Sequence, residues 1–324
     1  MEQVLAALRA AAEPTRLRLL SLCAQGELTV SDLVDVLGQS QPGVSRHLKL
    51  MCDGGVLERF REGAWVFYRL ARRGAGGDLA RRILETVPAD DPQLSRDNAR
   101  LAAIKAQRAA QASAYFSENA VDWAGVRSLH IDEAEVEGEL LRLIGTGRVG
   151  DLLDIGTGTG RLLEVLGPYA DRAEGVDASR EMLSIARAKL EAAHLPHCGV
   201  RLADMYALPF ADVSFDLVTI HQVLHFAENP AAVVAEAARV LRPGGRLVLV
   251  DFAPHDLETL RGEHNHRRLG FADAEVDLWC AEAGLEVGAV RHLPGNPLTV
   301  TLWLAERSAV QPHIKPLSVV GGKS

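Results

Sequence analysis

Apolar residues recur at helical spacing through the first 86 positions of the chain. Leu5, Leu8 and Ala12 form one apolar stripe. Pro14 then opens a second helix at its first turn, with Leu17, Leu20 and Leu22 facing inward. The stretch GELTVSDLVDVLGQSQPGVSRHLKLMCDGG reads as two helices about a tight turn. Ser31 suits the cap of the first helix and Gly38 its stop; Ser40 suits the cap of the second, which ends at Gly54-Gly55. The period then changes from helical to alternating. VLERF and WVFYRL flank a glycine-containing turn and predict a hairpin.

Residues 87–111 open with VPADDPQ and continue as SRDNARLAAIKAQRAAQA, a polar Ala- and Arg-rich helix expected as a semi-rigid linker. Residues 111–148 read as helical and carry the aromatics Tyr115, Phe116 and Trp123. From position 151 strands alternate with helices: DLLDIG, AEGVDA, GVRLAD, FDLVTI and RLVLVDF. LEVGAVRHL and LTVTLWLAE follow closely on one another and predict an antiparallel finish. The expected fold class is α/β: an N-terminal winged helix–turn–helix, then a Rossmann-like doubly wound, mostly parallel sheet with helices on both faces. The expected boundaries are 1–86, a helical linker over 87–111, a second domain over 112–307 and a frayed tail over 308–324.

Composition sharpens this picture only in places. The 324 residues are 48% hydrophobic and 24% charged, which excludes disordered and collagen-like classes. The net charge is -8, which excludes a broadly basic nucleic-acid coat, but the charge is uneven. Residues 1–86 hold 12 of the 35 Lys/Arg and 10 of the 43 Asp/Glu, a net of +2, so the rest carries −10. Neither a signal-peptide pattern nor an apolar run of membrane-spanning length is present. The four cysteines (Cys23, Cys52, Cys198, Cys280) show no CxxC spacing and read as reduced thiols of a cytoplasmic protein.

LLDIGTGTGRLLEVL places Asp154, Gly156, Thr157, Gly158 and Gly160 on a strand-to-helix turn. Glycines there let the backbone bend and approach a ligand closely, and the helix start behind them favours a negative group. Asp177, followed by Ala178, ends the next strand 21 residues after Gly156, where a doubly wound sheet sets a carboxylate on a ribose diol. The glycines recur at intervals of two, and Arg161 stands where a dinucleotide loop has its third glycine, which argues against NAD.

With these features the chain resembles the class I S-adenosylmethionine-dependent methyltransferases over residues 112–307, about 60% of its length. The resemblance implies that Asp154 and the loop glycines wrap the methionine end of the cofactor and that Asp177 binds the ribose. It assigns Asp204 to the adenine amino group, with Met205 beside the ring. SFDLVTIHQVLHF resembles the family's fourth-strand motif and ARVLRPGGRLVLVDF the one leading into the fifth. His221 and His225, after the fourth strand, lie where a base for the methyl acceptor would sit, or serve as structural histidines. The pair His264 and His266 has no third ligand in view, so no metal site is expected. The absence of a [DNS]-P-P-[YF] stretch argues against methylation of DNA amino groups, and the scarcity of cysteines against arsenite methylation.

Residues 1–86 resemble the ArsR-type winged helix–turn–helix regulators, with GQSQPGVSRHLKLM as the recognition region. The resemblance implies that this helix enters the major groove, with Gln39, Ser40, Gln41, Ser45, Arg46 and Lys49 as base and phosphate contacts. Arg59 and Arg61 would reach the backbone from the wing. Thr29 and Ser31 occupy the positions where arsenic-sensing members carry a Cys-x-Cys pair, and a hydroxyl is a poor ligand for a soft metal. The family also implies a homodimer on a double-stranded operator.

Two functions remain open. One is a DNA-binding regulator whose methyltransferase-like domain binds S-adenosylmethionine or S-adenosylhomocysteine as effector, resembling repressors of methionine-cycle genes. The other is an active small-molecule methyltransferase carrying a DNA-binding module.

Overall fold

The computed structural model describes residues 1–62, 65–71, 74–88, 90–107, 131–145, 147–263 and 266–309. The front of the chain forms α1 (Glu2–Ala11), α2 (Pro14–Cys23), β1 (Leu28–Thr29), α3 (Val30–Leu37), α4 (Gln41–Asp53), β2 (Leu57–Glu62), β3 (Trp65–Leu70) and α5 (Gly74–Thr86). A helix over 92–107 follows (α6). Then come α7 (Glu133–Ile144), β4 (Val149–Ile155), α8 (Arg161–Leu166), β5 (Ala170–Asp177), α9 (Arg180–Ala192), β6 (Cys198–Leu202) and β7 (Phe215–His221). The chain continues through α10 (Pro230–Val240), β8 (Leu241–Phe252), α11 (Thr259–Glu263), α12 (Asp273–Glu282), β9 (Leu285–Leu293) and β10 (Val300–Arg307). The strands make a three-stranded sheet, β1-β3-β2, and a seven-stranded sheet, β6-β5-β4-β7-β8-β10-β9. In the larger sheet β5/β6, β4/β7 and β7/β8 pair in parallel, and β10 lies antiparallel to both β8 and β9. This is the Rossmann-like α/β order with the antiparallel finish that the sequence predicts.

Chain contacts separate two units: Met1–Val126 with Gly156–Asp204, and Arg127–Ile155 with Met205–Ser324. In the first unit, Leu19, Leu22, Leu33, Leu48 and Met51 are fully buried and gather α2, α3 and α4 into one core. Two local details differ from the sequence pattern. Thr29, not Ser31, caps α3: its hydroxyl accepts the Asp32 N–H at 3.2 Å, and the Asp32 carboxylate accepts the Thr29 N–H at 2.6 Å. An acid three residues into the helix closes this capping box, so the cap falls two residues earlier. In α1 the buried residues are Ala7, Ala10 and Ala11, while Leu5 and Leu8 of the expected stripe are 44% and 42% exposed. Contact with the end of α4 leaves no room for leucine: a Cβ on Gly54 would lie 2.4 Å from that of Ala10. Leu17 of α2 is only half-buried, and Leu19 takes the inner position instead.

The helix expected as a linker is tied to the front core. Leu101 of α6 is 1% exposed and belongs to the same hydrophobic cluster. Arg18 grips Asp97 through two hydrogen bonds, 2.6 and 2.8 Å, and Arg100 donates to the Val36 carbonyl at 2.8 Å.

In the second unit, Leu247, Val248, Leu249, Val250 and Phe252 of β8 are all buried, the continuous apolar run of a strand covered on both faces. Trp303 of β10 is 1% exposed, and its indole N–H reaches Asp273 of α12 at 2.9 Å. Among the described residues no helix is long and apolar enough to cross a membrane.

Candidate functional site

Three features of the first unit build the expected nucleoside cradle. Gly156, Gly158 and Gly160 all have left-handed backbone, with φ of 71°, 52° and 80°. The Gly156 and Thr157 N–H groups both donate to the Val176 carbonyl, at 2.8 and 2.9 Å, which folds the loop back over the end of β5. Gly158 N–H donates to Asp177 Oδ2 at 2.9 Å, and Ser179 N–H to Asp177 Oδ1 at 2.8 Å. The loop and the acid predicted to act together are therefore in direct contact.

The glycines differ in what surrounds them. A Cβ on Gly160 would sit 3.0 Å from the Ala186 Cβ, so this glycine lets α9 pack against the loop. A Cβ on Gly158 would meet nothing among the described residues, which leave open space above the loop there. Thr157 is buried, and its side chain lies against β5: a Cβ on Gly175 would be 2.7 Å from its hydroxyl. Asp177 is half-buried, and Ala178 and Asp204 are exposed. Asp204 lies two residues past β6, and Ala203 N–H donates to the Asp177 carbonyl at 3.0 Å, which brings its loop beside Asp177. A carboxylate can accept about four hydrogen bonds, so two backbone donors leave Asp177 capacity for a vicinal diol. The open space over Gly158 and this spare capacity fit an S-adenosyl ligand.

In the second unit, Asp154, the last residue but one of β4, is 2% exposed, and its Oδ1 accepts the Thr219 hydroxyl at 2.7 Å. Met205 is half-buried. His221 ends β7 and is half-buried, whereas His225 is almost wholly buried. His225 Nδ1 lies 2.8 Å from Asp251 Oδ1, and its backbone N–H reaches Asp251 Oδ2 at 3.2 Å. The His266 ring stacks on His225 with centroids 4.0 Å apart. Asp251 is the functional candidate that the sequence pattern missed. Its signal was a single acid in the otherwise apolar run RLVLVDF.

Helix α4, expected to read DNA, has two faces. Val44, Leu48 and Met51 of α4 point into the front core. Gln41, Arg46 and Lys49 are exposed, and Gln39 and Ser45 are half-buried. Ser40 is the cap residue of α4, although its side chain makes no capping hydrogen bond. Arg61 and Arg59 of β2 are exposed and share one face of the hairpin. His47 lies 3.7 Å from Glu13. Tyr115, Phe116, Trp123 and His264 lie outside the described residues.

The opposite face of the hairpin presents Glu58, Phe60, Phe67 and Arg69. Arg69 is 7% exposed and bonds Glu27 at 2.8 Å, Glu58 at 2.5 Å and both oxygens of Glu174 on β5 at 3.0 Å. Phe60 and Phe67 stack with centroids 5.5 Å apart. Arg187 of α9 covers the Phe67 ring at 4.2 Å, and Arg201 of β6 covers Phe60 at 4.8 Å. The sequence could not pair these residues, because Arg69 and Glu174 are 105 positions apart.

Comparison with known proteins finds relatives for two parts of the chain. Residues 153–249 match the family described as "Methyltransferase domain", and residues 13–59 match "Bacterial regulatory protein, arsR family". The ubiquinone biosynthesis O-methyltransferase of Nitrosococcus oceani is 32% identical over 46% of this chain and 68% of its own length. The demethylmenaquinone methyltransferase of Thermus thermophilus is 47% identical over 32% of this chain and 47% of its own. The crystal structure of YcgJ from Bacillus subtilis superposes with a TM-score of 0.47 at 20% identity, covering 54% of this chain and 99% of that one. The chain spans 26%, 42% and 47% of the length of three of the curated relatives it matches.

Proposed function

The chain belongs to the methyltransferase-domain family and carries an ArsR-family helix–turn–helix ahead of that domain, and from this premise we propose that it is a DNA-binding transcriptional regulator with S-adenosylmethionine or S-adenosylhomocysteine as its effector. The observation that carries the reading is the Arg69–Glu174 contact. Glu174 lies three residues before Asp177 on the same strand, so one rigid element joins the wing hairpin to the ribose acid. A ligand that binds one setting of that strand tenfold better than another shifts the balance between them by about 1.4 kcal/mol, and DNA affinity by up to that amount where DNA favours one setting.

The proposed DNA contacts are Gln39, Ser40, Gln41, Ser45, Arg46, Lys49 and Arg61. The proposed ligand contacts are Asp154, Gly156, Thr157, Gly158, Gly160, Asp177, Ala178, Asp204 and Met205. We place the protein on DNA as a homodimer. The exposed Val4, Leu5 and Leu8 of α1 support that reading, because they set an apolar row on the surface of the single chain.

The test is retention of DNA from the chain's own promoter region at fixed salt, without ligand, with S-adenosylmethionine and with S-adenosylhomocysteine. A ligand-dependent change in affinity supports the effector role, and equal affinity in all three overturns it. Arg46→Ala should abolish retention with cofactor affinity intact. A second reading, an active small-molecule methyltransferase with a DNA-binding module, is favoured by one observation, the buried His225–Asp251 pair.

A further inference from the structure

We infer that α6 is a strut between the proposed ligand loop and the turn of the helix–turn–helix, with Lys105 as its joint to α9 and Arg100 as its joint to α3. Both are positioning residues. The inference rests on the effector reading and names the route by which the effector reaches the DNA-reading helix.

One face of α6 makes all of these contacts. Asp97, Arg100, Leu101, Ile104 and Lys105 stand at i, i+3, i+4, i+7 and i+8, so they share one side of the helix. Leu101 and Ile104 pack on the front hydrophobic cluster, and the Arg18–Asp97 pair fixes the helix against α2. Arg100 Nη1 donates to the Val36 carbonyl at 2.8 Å, in the last turn of α3. The end of a helix leaves carbonyls without intrahelical partners and favours a cation. Gly38 then turns the chain with φ of 65°, and a Cβ on it would lie 3.7 Å from the same Nη1. The guanidinium therefore rests on the turn that sets the direction of α4.

The far end of this face reaches α9. Lys105 Nζ lies 3.3 Å from Glu191 Oε1 in the last turn of α9, and it donates to the Gln25 carbonyl at 2.8 Å. Arg187, one turn earlier in α9, bonds Glu27 at 3.1 Å. At its other end α9 is capped by Ser179, whose hydroxyl accepts the Met182 N–H at 3.2 Å. The Ser179 N–H in turn donates to Asp177 Oδ1 at 2.8 Å. With 13 residues, α9 is a rod of about 20 Å that starts at the proposed ribose acid and finishes at α6. The Arg69–Glu174 contact fastens the wing hairpin, whereas α6 fastens the turn before α4, a different element.

The joint has room to move. Among the described residues a cavity of about 330 Å³ lies beside it, lined by Gln25, Glu27, Lys105, Arg187 and Glu191. The Lys105 and Glu191 side chains are 19% and 21% exposed, so this contact is an ion pair at the edge of a void. A close-packed core would resist a shift of α9 against α6; a charge pair beside a cavity yields to it. The effector acts through this route to the extent that it binds one setting of α9 better than another.

The experiment uses the full chain, DNA from its own promoter region at fixed salt, and S-adenosylhomocysteine, whose binding is measured separately by calorimetry. Lys105→Met keeps the length of the side chain and removes its charge. It should reduce the ligand-dependent change in DNA affinity at least threefold. DNA affinity without ligand should stay within about twofold of wild type, ligand affinity within about threefold, and the circular dichroism spectrum unchanged. Glu191→Gln should do the same, and the double variant no more, because each removes the same contact. The exchange of Lys105→Glu with Glu191→Lys should restore at least half of the response, a recovery that lost packing does not show. Arg100→Gln should weaken DNA binding at least fivefold, and Arg100→Lys, which keeps a cation on the α3 carbonyl, should recover most of it. The salt dependence of binding should not change in Arg100→Gln; a slope lower by about one would make Arg100 a phosphate contact and overturn its role as a joint. A wild-type ligand response in Lys105→Met or Glu191→Gln overturns this proposal alone, as does a loss of ligand affinity in both. Equal DNA affinity of the wild-type protein with and without ligand overturns the effector reading and this proposal with it.

Discussion

Arg69 on β3 donates through Nη1 to both carboxylate oxygens of Glu174 on β5, at 3.0 Å each. Glu27 and Glu58 complete the ring of acids, and Glu27 and Glu174 are 7% and 4% exposed. Burial alone pulls the Arg69 guanidinium below its ordinary pKa, but Glu174, Glu27 and Glu58 outweigh it and hold the group above that value. Removing one partner of a buried ion pair costs about 3–5 kcal/mol, because the remaining charge is left without compensation.

The Arg69→Met variant should therefore lose stability on that scale in urea unfolding monitored at pH 7. Glu58→Gln should cost less than about 1 kcal/mol, because Glu58 is more exposed and solvent screens such pairs. If the strand from Glu174 to Asp177 carries the effector signal, Glu174→Gln should also weaken the ligand dependence of DNA binding at least threefold. Equal stability of Arg69→Met and wild type would show that the cluster adds nothing net.

The glycine loop gives a second expectation. Gly158 has φ of 52°, and among the described residues nothing stands where a Cβ would go. Gly158→Ala then puts a methyl into the space assigned to the ligand, and the left-handed backbone adds about 1–2 kcal/mol of strain. S-Adenosylhomocysteine affinity should fall more than tenfold by calorimetry. DNA retention without ligand should stay near wild type, because the recognition helix is remote in sequence and keeps its own core. Gly160→Ala should instead lower the melting temperature, because its Cβ would crowd Ala186.

The expectations that held and those that shifted divide along physical lines. The strand–loop–acid motif was legible because each of its parts, from Asp154 to Asp177, lies within one strand–helix–strand unit. The α4 face was legible because period alone separates Val44, Leu48 and Met51 from Arg46 and Lys49. The α1 stripe was misassigned because periodicity reports an apolar face without saying what covers it, and here alanines make the close contact with α4. The packing of α6 on the front core, through Leu101 and the Arg18–Asp97 pair, is a tertiary fact that a polar helix does not announce. Asp251 and Glu174 were missed because their partners lie 26 and 105 positions away.

Thiol chemistry offers a third check. Burial, against a smaller opposing pull from Arg59, pushes the half-buried Cys52 thiol up to about 11. Its thiolate fraction at pH 8 should therefore be roughly 100-fold below that of an unperturbed thiol with a pKa of about 8.5. Iodoacetamide at pH 8 should label Cys52 at least tenfold more slowly than free cysteine in the same tube. Cys280, buried and pushed up to about 12, should be slower still. Peptide mass mapping over time reads both rates. Labelling of Cys52 as fast as free cysteine would show that its surroundings do not desolvate it.

Acidification should weaken the fold partly through His255. Burial holds its imidazole below the ordinary value, and nearby His225 adds to the effect against the opposing pull of Asp251 and Asp256. His255 Nδ1 also accepts the Leu257 N–H at 3.3 Å, a bond that a doubly protonated ring cannot accept. The sign follows from proton linkage. Below the unfolded value of about 6.5, the unfolded chain takes up a proton that the folded ring resists, so the unfolded state binds more protons and stability rises with pH. The contribution is complete above that value and is lost as pH falls through the lower folded one. His255→Gln keeps a hydrogen-bonding side chain of similar size and removes the titration. Urea midpoints at pH 7.5 and pH 5.0 should therefore differ less in the variant than in wild type. If both proteins lose the same stability over this interval, the acid sensitivity lies in other groups.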